Sequence, residues 1–229
     1  MKQANQIKRL KPLFPLTRQL SFHVTPLLIR TPITPNLITL ASLLSGVLAS
    51  LLISIGDYTT TLCSAVMLFF AYLLDNCDGE VARAKTQESK FGEMFDSFSD
   101  WVVHGAFFFG LGWGTYASTT QVFWVWLGIA ATLGASINYS ICVYLFVQSN
   151  KDEIGTYETT QNNNVSDMQI NWKGKVVYIY RELARSDFWL IVLVLALFDL
   201  TWLLLPAAAI GSQVYWIMQF FVQGRNDRK

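Results

Sequence analysis

Charge is scarce in long stretches of this sequence. From Leu37 to Leu74 the only charged residue is Asp57, and from Trp101 to Asn150 there is no Asp, Glu, Lys or Arg at all. Charged residues make up 14% of the 229 positions against 52% hydrophobic, with a mean hydropathy of +0.35. This composition excludes an ordinary soluble domain of this length. Basic residues form no dense block and the net charge is +1, so the concentrated basic surface that a nucleic-acid partner requires is missing. Cysteine is equally scarce. Cys63, Cys77 and Cys142 lie in or beside apolar runs, which rules out a disulfide framework or a zinc spacing and reads as small buried hydrophobes. No short apolar core followed by a small-residue cleavage site opens the chain, and Pro12, Pro15 and Pro26 interrupt it, so no cleaved signal peptide is expected.

What the sequence does contain is a series of runs long enough for lipid, since a helix crosses the hydrocarbon core with about 20 apolar residues. The expected fold is an all-α integral membrane protein with six transmembrane helices at about 37–56, 58–83, 92–114, 121–148, 187–204 and 206–223, together a catalytic domain over 36–224. Gly, Ser and Thr in "GWGTYASTTQ" mark the turn between spans three and four, and Asp199 and Pro206 the one between five and six. Residues 1–35 form an N-terminal cytosolic or interfacial segment, 149–186 a cytosolic loop and 225–229 a cytosolic tail. Within the first of these, Leu13 to Arg30 reads either as a helix lying in the membrane interface or as a disordered leader.

Positive charge supports this count. All 17 Lys and Arg residues fall before Asn36, between spans two and three, between four and five, or after six, while the turns near Asp57, Tyr116 and Asp199 have none. Cytosolic loops are enriched in Lys and Arg, so both termini are expected in the cytosol of a multi-pass protein, in the plasma (inner) membrane if the source is bacterial.

The stretch "LLDNCDGEVARAKTQESKFGEMFDSFSDW" then stands out. Asp75 and Asp78 share a helical face at the end of span two, and Asp96 and Asp100 share one at the start of span three. A tight reversal between the spans brings all four to the same cytosolic depth. So many carboxylates repel one another unless a cation offsets them, and Mg2+ held by carboxylates together with a phosphate-bearing ligand is the natural solution. Gly79 and Gly92 allow close backbone approach, and Arg83 complements phosphate charge. Taken singly, each Asp could instead be an interfacial anchor or pair with Arg83, Lys85 or Lys90. The four together point to a functional site.

These residues resemble the CDP-alcohol phosphotransferase family. Asp75, Asp78, Gly79, Ala82, Arg83, Gly92, Asp96 and Asp100 fit its signature D-x2-D-G-x2-A-R-x8-G-x3-D-x3-D at every fixed position, and "TPNLIT" looks like the family's usual approach to the first span. The resemblance implies transfer of a substituted phosphate from a CDP-alcohol to an acceptor hydroxyl with release of CMP, in phospholipid or related phosphodiester biosynthesis. It implies two Mg2+ or Mn2+ ions on Asp75, Asp78, Asp96 and Asp100, with Asp100 also the general base. Gly79, Ala82, Arg83, Gly92 and Asn36 would hold the CDP moiety, and the protein would be a homodimer with its active site at the cytosolic face. The donor is either CDP-diacylglycerol with a water-soluble alcohol as acceptor, or a soluble CDP-linked polar head group with a different acceptor, and the apolar walls of a membrane site favour the first.

Arg181 and Arg185 either bind an anionic acceptor or lipid phosphate, or anchor the helix end. Glu80 and Glu93 read equally as solvated charges or substrate contacts, and His104 as an interhelical hydrogen-bond partner rather than a catalyst. Phe107, Phe108, Phe109, Trp124 and Trp126 fit a subunit interface, the bundle interior or a lipid-facing surface. Two other readings use acidic clusters: a Mg2+-dependent membrane prenyltransferase acting on a prenyl diphosphate, and a divalent-cation transporter. Only the leading reading requires cytidine.

Overall fold

Hydroxyl and apolar side chains alternate so as to give the first helix two unlike faces. α1 (Leu16–Ile29) buries Thr17, Ser21 and Thr25, spaced four apart and therefore on one stripe, and leaves Leu20, Phe22 and Leu27 exposed. The computed structural model describes residues 16–149 and 187–214, and all regular secondary structure among them is helical. α1 runs through Pro26, so the part of the N-terminal segment it covers is a helix with its apolar face outward.

Pro35 opens α2 (Pro35–Ile53), where its missing N–H removes no helical bond. Gly56, at φ +77°, reverses the chain, and Asp57 starts α3 (Tyr58–Ala84) by accepting from the backbone N–H groups of Thr59 at 3.0 Å and Thr60 at 3.4 Å. Ser89 caps α4 (Lys90–Thr119) in the same way through Gly92 N–H at 3.0 Å. α5 (Phe123–Ser149) follows after a left-handed Thr120. α2 and α3 are long and apolar enough to cross a bilayer.

The end of the described chain holds two shorter apolar helices, α6 (Phe188–Leu197) and α7 (Thr201–Val214), the second opening with a 3-10 turn over Thr201–Leu203. The reversal between them centres on Asp199 at φ +57°. α6 therefore stops seven residues short of the 204 expected for that span. Pro206 lies in the first α-helical turn of α7, a position that tolerates proline, rather than in the turn.

Lipid chains are as apolar as leucine, so helices in a membrane are held by close approach and by hydrogen bonds more than by the hydrophobic effect. Both are present. α4 packs on α2 through Gly110, where a Cβ would lie 2.5 Å from the Ser50 carbonyl oxygen, and through Gly114, where it would overlap the Ile53 carbonyl. Gly112 and Gly128 make the corresponding approach of α4 to α5. Ser42 Oγ donates to Ala71 O at 2.9 Å and Ser64 Oγ to Ala49 O at 2.7 Å, tying α2 to α3. Such bonds contribute about 0.6 kcal/mol each. Phe107, Leu68, Ile53 and Leu205 fill the centre, and α6 closes it with Trp189 and Val192.

Of the aromatic group considered for an interface, Phe107 is buried in this core, Phe108 and Trp124 pack against it, and Phe109 and Trp126 are exposed.

Candidate active site

Antiparallel packing and the short link at residues 85–89 set the last turns of α3 beside the first turns of α4. Asp75 and Asp78 on α3 meet Asp96 on α4, and one oxygen from each lies within 4.8 Å of the others. Asp78 is 5% exposed and is oriented by Thr39 on α2, whose Oγ1 donates to Asp78 Oδ2 at 2.5 Å. Asp75 Oδ1 and Asp96 Oδ1 are buried with no hydrogen-bond partner. A buried carboxylate oxygen left without a donor costs about 1 to 3 kcal/mol or more, and two of them facing like charges cost further. Three converging carboxylates with two of their oxygens buried and unsatisfied fit a hard divalent cation.

Asp100 is exposed, lies one turn further along α4, and is outside the cluster of three, yet its charge bears on Asp75 more than those of Asp96 and Asp78 do. It borders a cavity of about 600 Å³ between α4, α5 and α7, whose wall includes Ser97, His104 and the stacked rings of Trp101 and Tyr139, 5.0 Å apart. His104 Nδ1 is 2.7 Å from the Asp100 carbonyl oxygen, which only accepts, so Nδ1 carries a proton. In the neutral ring, Nε2 then accepts from the Tyr72 hydroxyl at 2.9 Å, joining α3 to α4. His104 is thus the interhelical partner expected of it.

The remaining expected contacts flank the cluster. A Cβ on Gly79 would lie 3.3 Å from Arg83 Nη1, so the exposed guanidinium lies over the Gly79 backbone. A Cβ on Gly92 would lie 3.4 Å from Asn36 Oδ1, which sets the start of α2 against the first turn of α4. Ala82 is half-buried beside Arg83. Arg181 and Arg185 lie outside the described residues.

Three positions have roles that the sequence did not indicate. Thr39 is the donor to Asp78. Glu80, read as a solvated charge or a substrate contact, accepts from Ser21 Oγ at 2.9 Å and from Thr25 Oγ1 at 2.5 Å, and so docks α1. Lys85 Nζ donates to the carbonyls of Thr31 and Ile33, each at 2.8 Å, and holds the link between α1 and α2. None of these has a local signature beyond a hydroxyl or charge near a helix end.

The family described as CDP-alcohol phosphatidyltransferase matches residues 32–214. The chain is similar to a bifunctional IPC transferase and DIPP synthase of Thermococcus kodakarensis, 34% identical over 130 residues that cover 55% of this chain and 27% of that one. It also resembles a phosphatidylinositol phosphate synthase of Mycolicibacterium smegmatis, 34% identical over 96 residues and 42% of each chain. The chain therefore matches well under half the length of these relatives. A crystal structure of Mycobacterium tuberculosis phosphatidylinositol phosphate synthase with CDP-DAG bound shares the fold at a TM-score of 0.53 and 20% identity, over 86% of this chain and 91% of that one. Two of its helices, α2 and α3, are long and apolar enough to cross a membrane, in keeping with a membrane-associated family. With the family matched across both helices of the carboxylate cluster and most of the chain, the protein belongs to the CDP-alcohol phosphatidyltransferases.

Proposed function

We propose that the protein transfers a substituted phosphate from a CDP-alcohol to the hydroxyl of an acceptor alcohol, releasing CMP. The observation that carries this reading is the convergence of Asp75, Asp78 and Asp96 with two oxygens unsatisfied. These residues would hold Mg2+ or Mn2+, with Asp100 adjoining a second ion. Bound metal would neutralise the pyrophosphate and the charge that builds on the departing CMP.

The chain's own groups do the rest. Arg83, over the Gly79 backbone, is positioned to meet the phosphates, and the small side of Gly79 and Ala82 leaves room for the cytidine, with Gly92 and Asn36 opposite. Asp100, exposed to the adjoining cavity, takes the proton of the acceptor hydroxyl. The acceptor oxygen bonds to the phosphorus bearing the donor alcohol, the bond from that phosphorus to the bridging oxygen breaks, and CMP leaves with that oxygen.

The apolar environment and the solved relative with CDP-DAG favour CDP-diacylglycerol as donor. The relatives named for inositol phosphate favour a phosphorylated polyol as acceptor, for which Arg181 and Arg185 supply charge. The distribution of Lys and Arg supports six spans with both termini and the site at the cytosolic face, and the family supports a homodimer.

The test is CMP release by purified protein in detergent with Mg2+, CDP-diacylglycerol and a panel of acceptors including inositol phosphate. Release that needs one pairing and vanishes with Asp100→Asn or chelator is expected. If no CDP-alcohol is consumed while metal still binds, the reading fails and prenyl transfer or cation transport takes its place.

A further inference from the structure

The cavity beside Asp100, of about 600 Å³, falls inside the size range of small-ligand sites. Asp100 stands at its border, so a hydroxyl that gives its proton to Asp100 is carried by a molecule lying against these walls.

Charge is confined to one edge. Among the described residues no Lys or Arg lines the cavity, and the Asp100 carboxylate repels any anion placed within it. The part of a ligand that fills it is therefore uncharged, and a phosphate on the same molecule has to lie outside.

Two polar groups await a partner. Asn138 and Tyr139, half-buried on α5, make no side-chain hydrogen bond with a described residue. Partly buried polar groups are costly when left this way. Amide and phenol each donate and accept, as a hydroxyl does. The other nitrogens of the wall are committed: Trp101 Nε1 donates to Ser136 Oγ at 3.1 Å, and both His104 nitrogens are bonded.

The apolar part of the wall is flat and firm. Trp101 and Tyr139 stack 13° from parallel, and Phe98 braces Trp101 at 5.7 Å. α7 adds Ala208 and Gly211, and a Cβ on Gly211 would meet no atom within 4 Å. A saturated ring can lay its C–H face on an aromatic ring while its hydroxyls reach Asn138 and Tyr139. An open-chain alcohol has no such face and loses more internal freedom on binding.

We propose that this cavity seats the acceptor as a cyclic polyol, with Asn138, Tyr139 and Gly211 setting the selectivity. The inference rests on the transfer reaction proposed above.

The experiment measures CMP release with CDP-diacylglycerol against myo-inositol, glycerol and the monophosphate of each, alongside equilibrium binding of both radiolabelled inositols to the purified protein in detergent. Wild type, Asn138→Ala, Tyr139→Leu and Gly211→Leu are compared, with thermal midpoints to verify folding. Gly211→Leu enters open space and should fold as wild type does. In each charge state the ring should be preferred to the open chain. Asn138→Ala and Tyr139→Leu should raise its KM roughly fivefold to tenfold and leave the KM of CDP-diacylglycerol unchanged. Gly211→Leu should abolish ring binding. Equal or better use of the open-chain alcohols, binding of neither ring, or a Gly211→Leu effect on the KM of the donor alone overturns the proposal, the last assigning the cavity to a lipid chain. Ring binding that the variants weaken, without CMP release, overturns the transfer and leaves the polyol seat standing. CMP release with ring binding unaltered in the variants does the reverse.

Discussion

Asp187 and Thr17, 170 residues apart, are joined twice: the Asp187 carboxylate accepts from the Thr17 backbone N–H at 2.9 Å and from its hydroxyl at 2.6 Å. The other oxygen takes the Leu16 N–H at 2.7 Å, and Trp189 Nε1 donates to Thr17 Oγ1 at 2.8 Å. A fully buried carboxylate at the start of α6 thus serves as the N-terminal cap of α1. Replacing it with alanine leaves three donors without partners, and about 2 to 4 kcal/mol of stability should be lost. Limited proteolysis and thermal unfolding in detergent check this, with α1 released before the bundle melts.

Thr39→Val removes the donor to Asp78 at constant shape. A hydrogen bond to a charged group contributes about 1.5 to 3 kcal/mol, so metal affinity and CMP release should fall about tenfold to a hundredfold. Thr39→Ser should restore most of both, and titration of Mg2+ against activity separates the two effects.

The repulsion among Asp75, Asp78 and Asp96 makes a prediction with two signs. In chelator, Asp75→Asn relieves like-charge contact and should raise the thermal midpoint by a few degrees, about 1 kcal/mol for a chain of this size. With Mg2+ present the rise seen in wild type should be absent from the variant. Thermal melts with and without metal read both.

Gly110→Ala places a Cβ 2.5 Å from the Ser50 carbonyl oxygen, which is backbone and gives way only if α2 and α4 separate. The expected cost is about 3 kcal/mol or more. Gly211→Ala, with no atom within 4 Å of the added carbon, should be near neutral in the same unfolding assay.

What the sequence makes legible follows chain locality. Runs without charge locate α2 and α3, and the three- and four-residue spacings of the acids predict their shared faces. The spacing does not fix depth: Asp96 and Asp100 share a face of α4, yet only Asp96 joins the cluster with both acids of α3, while Asp100, one turn further along, borders the adjoining cavity. The pairings of Asp187 with Thr17 and of Glu80 with Ser21 and Thr25 bridge separations of 55 to 170 residues and leave no periodic trace. The halt of α6 at Leu197 depends on a left-handed Asp199, which an apolar run does not announce.

The inverted faces of α1 have a thermodynamic consequence. Its docking rests on hydroxyl-to-carboxylate bonds from Thr17, Ser21 and Thr25, which strengthen as water is withdrawn, while Leu20, Phe22 and Leu27 face outward. A bilayer over this face would act on the helix twice, by solvating its outer side chains and by drying the bonds beneath. Because Glu80 lies two residues from Asp78 on α3, loosening of α1 on extraction into a wetter micelle would be felt at the carboxylate cluster, and lipid composition becomes a determinant of turnover in its own right.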